Sequence, residues 1–79
     1  MDNDTSREVL RAVFRSAAEL QALLPILKSR CGAEEYRAYA VAIASVIAEG
    51  GQQIINRVIA EHPELQIEID AAARRDGRY

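Results

Sequence analysis

The single thiol, Cys31, and the single imidazole, His62, are the side chains of this chain best suited to nucleophilic and acid–base chemistry. Catalysis by such a pair needs a base beside the nucleophile and a carboxylate to orient that base. Neither residue sits in a motif that supplies those partners. Cys31 continues a helical leucine spacing and reads as a small buried apolar residue. His62 precedes Pro63 at a helix end, where capping or exposure is the simpler role. No glycine-rich phosphate loop, metal-ligand cluster or Ser/His/Asp order is present, so the expectation is no enzyme, no metal and no cofactor.

Two polar groups could instead contact a partner. Arg7, Arg11 and Arg15 recur every fourth residue, on one helical face that could grip phosphates or an acidic surface. The plainer reading is a solvated stripe paired with Glu8 and Glu19 at helical spacing. Gln52, Gln53, Asn56 and Arg57 follow Gly50-Gly51. Were the chain to bend there, they would form a second short helix offering residue types that read base edges in a helix-turn-helix. The segment lacks flanking basic residues to hold phosphates, and a net charge of −2 argues against nucleic acid in general.

These residues need elements to carry them, and composition says which. Apolar residues make up 49% of the chain but aromatic ones only 5%, so the apolar content is Ala, Leu, Ile and Val, as in a helical bundle. Seventy-nine residues allow one domain, near the size at which a lone core needs help from a partner subunit. A single cysteine forms no internal disulfide. The polar, acidic start is unlike a secretory signal, and the longest nearly uncharged run, Ala38 to Ala48, is too short to span a bilayer. A cytoplasmic, non-membrane protein is expected.

The first helix is predicted over about residues 6–30, after a disordered 1–5, with Thr5 capping through the Glu8 N–H. Leu10, Val13, Ala17, Leu20, Leu24, Leu27 and Cys31 make a coiled-coil-like seam. Pro25 predicts a kink, and Gly32 a left-handed cap. The second helix is predicted over about 34–61 and the third over about 64–75, leaving a 76–79 tail. Ala38 to Ile43 and Leu65 to Ile69 alternate like strands, but alanine content and charged first turns favour helix. At Gly50-Gly51 the second helix either continues, using the glycines for close packing, or bends.

Projected at a constant helical advance, the second helix is apolar over roughly 220° where one core needs about 100°. Tyr36, Tyr39, Ile43, Val46, Ile47, Ile54 and Val58 form an arc of large residues. Ala40, Ala44, Ala48 and Gly51 form a small-residue stripe, and Val41, Ile55 and Ile59 widen the apolar region. A helix so apolar wants cover from two sides. The expectation is therefore an all-α chain, a helical hairpin plus a short third helix, assembling into a dimeric helical bundle. It would act as a non-enzymatic protein–protein interaction module, with Tyr36, Tyr39, Ala40, Ala44, Ala48, Gly51, Ile55 and Ile59 at the interface.

Overall fold

A computed structural model describes residues 1–79. The chain is all-helical: α1 spans Asn3–Arg30, α2 spans Ala33–Glu61, and α3 spans Glu64–Asp76. Both strand-like alternations lie in helix.

The first helix starts earlier than its Thr5-Glu8 pattern predicts, and residues 3–5 are helical. The cap is Asp2, whose carboxylate accepts the Thr5 backbone N–H at 2.7 Å, while the Ser6 hydroxyl donates to the Asp2 carbonyl at 2.8 Å. A carboxylate complements the positive helix end better than a hydroxyl does, so the earlier acidic residue wins. α1 then runs through Pro25, whose ring is exposed, to Arg30. Gly32 does not take the left-handed cap. The Cys31 N–H closes the last turn on the Leu27 carbonyl at 2.8 Å, and extended Cys31 and Gly32 reverse the chain. Left-handed geometry appears only at Gly77, φ 74°, which ends α3.

α2 does not bend at Gly50-Gly51. It passes through them in a π-helical turn, Val46–Gly51, in which the Gln52 N–H reaches back to the Ile47 carbonyl. Such a turn holds one residue more than an α-turn and sets the downstream phase back by about 100°. The consequence is that Gly51 faces α1, where an added Cβ would lie 3.5 Å from Val13 Cγ1. Ile55, Val58 and Ile59 likewise turn into the core.

α3 lies along the first half of α1 and the last part of α2, where Leu10, Val58, Leu65 and Ile69 are buried together. Val9, Phe14, Ile55, Ile59 and Tyr79 pack around them. Beyond that the hairpin continues alone. Ile43 is the one buried residue of its distal half, and Leu20, Leu24 and Leu27 are only half-buried along the seam. The molecule is thus a three-helix bundle at one end and a bare hairpin at the other, 45 × 25 × 15 Å in extent.

Candidate interaction surface

The bundle end uses the arginine stripe internally. The Arg7 guanidinium donates to both oxygens of Glu68, at 3.0 and 3.1 Å from Nε and 2.8 Å from Nη2, and to Asp4 at 3.1 Å. Glu68 holds the Arg7 pKa above its ordinary value, and Arg7 holds the Glu68 carboxyl below its own. Arg11 stands 6.0 Å from the Tyr79 ring, which packs on Phe14 at 5.5 Å between centroids. Arg15 stays exposed. The expected partners Glu8 and Glu19 are displaced, because docking α3 brings Glu68 to the stripe while Asp4 offers an i, i+3 contact. Tyr79 was expected in a free tail. It is half-buried, its hydroxyl enclosed without a hydrogen-bond partner.

Cys31 and His62 do not meet. They flank the 29-residue α2 at opposite ends, about 44 Å of helix apart. Cys31 lies half-buried at the hairpin tip, past the helix end rather than inside the leucine seam, because extended backbone there takes it off the helical face. A hydrogen bond to Glu35 pushes its thiol pKa up, opposite to what a reactive thiolate needs. His62 Nε2 donates to the Met1 carbonyl at 2.7 Å, and Nδ1 lies 3.3 Å from Glu64. The ring ties the chain start to the α2–α3 corner. No group of three or more His, Cys, Asp or Glu residues is arranged to hold a metal.

Gln52, Gln53, Asn56 and Arg57 are exposed on α2, with Gln52 donating to Asn56 at 2.9 Å. Since α2 continues through the glycines, the separate second helix of a helix-turn-helix is not formed.

What remains is apolar surface on both flanks of the hairpin. On the α3 side, a groove of about 1340 Å³ has a mixed lining, with Phe14, Ile47 and Ile55 beside Arg15, Gln52 and Glu68. A second groove, of about 570 Å³, lies at the tip between Lys28, Tyr36, Arg37, Ala40 and Ala44. The other flank carries the larger side chains. Tyr39 is 52% exposed, Val46 58%, Ile54 42% and Leu23 43%. Tyr39 and Val46 are seven residues apart, and Ile54 follows eight later. The extra residue of the π turn absorbs the difference, so all three share one stripe of α2. Leu23 falls on the matching flank of α1, across the leucine seam from Arg7 and its α3 partner.

The expected interface set therefore divides. Gly51, Ile55 and Ile59 face inward. Tyr36 and Ala40 are half-buried at the tip groove, and Ala44 and Ala48 are exposed. Tyr39 alone joins the large-residue flank. Leu23, Val46 and Ile54 make up the rest of that flank, and their exposure follows from the absence of any second cover. The heptad spacing of Tyr39 and Val46 was the visible signal.

Counted whole, α2 is long and apolar enough to cross a membrane by length and composition alone, which the Ala38–Ala48 run by itself is not. Its polar residues, however, fall on one sector. No family model matches the chain, and neither a curated protein nor a solved structure matches it.

Proposed function

We propose that this chain is a non-enzymatic helical association module of the cytoplasm, working as a homo-oligomer that builds or regulates a larger assembly. The observation that carries the reading is the unfinished bundle. The chain exposes 5839 Å², whereas a compact monomer of 8.7 kDa exposes about 4,700 Å². Its radius of gyration is 14.8 Å against about 12 Å for a compact chain of this length. Leaving Leu23, Tyr39, Val46 and Ile54 in water forgoes stability that a domain of marginal size needs, and association recovers it.

The separation of Cys31 from His62 supports a role without catalysis. The one-sided polar sector of α2 supports contact with protein rather than with lipid on all sides. Sedimentation equilibrium at tens of micromolar tests the proposal. The expected mass is at least twice 8.7 kDa, and a single species of monomer mass at that concentration would count against it.

A further inference from the structure

We propose that the occupant of the large-residue flank is a second copy of this chain, packed antiparallel so that the two α2 helices cross at Val46. This rests on the reading of the chain as a self-associating module and adds the face and the geometry. Of the exposed large apolar residues, which also include Val41, Ile26 and Ile67, the three that share this stripe of α2 are evenly spaced about Val46. Tyr39 lies seven residues before Val46, about 10.5 Å along the axis. Ile54 lies eight after, with one residue taken up by the π turn, so it stands nearly as far on the other side. An antiparallel two-fold through Val46 sets one copy's Tyr39 against the other's Ile54, and the reverse, as a self-complementary interface requires.

The second helix supports the same centre. Gly51 against Val13 fixes the hairpin register, which puts Leu20 and Leu23 of α1 within about 8 Å of the Val46 level along the axis. The two hairpins then form a four-helix layer, with each α3 on the outer surface, where it does not obstruct the contact. The area agrees. The surface in excess of a compact monomer is about 1,100 Å², and one partner in a stable interface of standard size buries about 800 Å². The small-residue side of the hairpin, with Ala44 and Ala48, stays free in this arrangement.

The test combines cross-linking with sedimentation. In a Cys31→Ser background, Val46→Cys should form a disulfide-linked dimer under mild oxidation, because the two-fold places the position opposite itself, while Ala44→Cys should not. Val46→Glu and Tyr39→Glu should each raise the dimer dissociation constant by about tenfold or more, with helical circular dichroism retained because both positions are exposed in the single chain. Ala44→Glu should change it by less than about twofold. A dimer that survives Val46→Glu and is lost with Ala44→Glu overturns the face but leaves self-association standing. A wild type monomeric at every concentration overturns both. Flotation of monomeric protein with phosphatidylcholine–phosphatidylserine vesicles, abolished by Val46→Glu, assigns the flank to membrane and also overturns the proposal.

Discussion

Arg7 and Glu68 join residues 61 apart in sequence, in the forked geometry that an arginine and a carboxylate favour. Since Arg7 depresses Glu68, and Thr5 and the α3 N-terminus depress Asp2 and Glu64, acid should unfold the chain through these groups first. The sign follows from linkage. A carboxyl with a lowered native pKa stabilises fully above its unfolded value, here 4.5 for Glu68, and the contribution fades as pH falls through the lower native value. Glu68→Gln should therefore reduce the urea midpoint at neutral pH and flatten its fall below about pH 4.5, measured by circular dichroism. An acid limb as steep as wild type would show that the pair does not drive the transition. A second expectation concerns Cys31. Glu35→Gln should speed its alkylation by iodoacetamide at neutral pH, since the carboxylate is what holds the thiol protonated. An unchanged rate would remove that contact from the account. The stripe Arg7, Arg11, Arg15 was legible in the sequence, but its partner was not. Helical spacing reveals neighbours on the same helix, whereas Glu68 arrives only when α3 docks.

The element that reshapes the protein is the π turn at Val46–Gly51. Helix existence and the ends near residues 30, 61 and 76 follow from caps, prolines and periodicity. The width of the apolar arc on α2 did not, because a projection at constant advance carries Ile55 and Ile59 round to the far side. One added residue brings them back, so part of the supposed second face belongs to the single core. This predicts that deleting Gly50 is tolerated. The turn would tighten to an α-turn while Ile55, Val58 and Ile59 keep their phase, so helicity and a cooperative transition should persist. Deleting Gln53, within regular helix, should rotate those three residues by about 100° and unfold the bundle end. If both deletions behave alike, the turn does not set the phase. Gly50→Ala offers a gentler probe. An added Cβ meets nothing within 4 Å, so it should stabilise by about 0.5–1 kcal/mol through helix propensity.

For the molecule as a whole, the apolar arc read on the second helix overstated the surplus, since Ile55 and Ile59 pack on the single core, and the apolar surface left exposed lies along the open distal hairpin. Its location was hidden because the length of α3, not the pattern of α1 or α2, decides how far the bundle is completed. If association supplies the missing cover, the midpoint of thermal unfolding should rise with protein concentration, and scanning over about a hundredfold range would reveal it. A midpoint independent of concentration would favour a chain that tolerates its open face.

The division into a completed end and a bare end has a kinetic counterpart. Amides around Leu10, Val58 and Leu65 can exchange with solvent only when the three-helix end opens, which approaches global unfolding. Those between Leu24 and Ala40 need only the hairpin tip to fray, so in a dilute chain deuterium should enter from that end first. At concentrations where copies pair across Val46, the tip of each hairpin lies beside the bundle end of the other copy, and the exchange gradient should flatten from the tip inward. The slowness of deuterium uptake at Leu27 or Tyr39 then becomes a local record of whether a second chain is there.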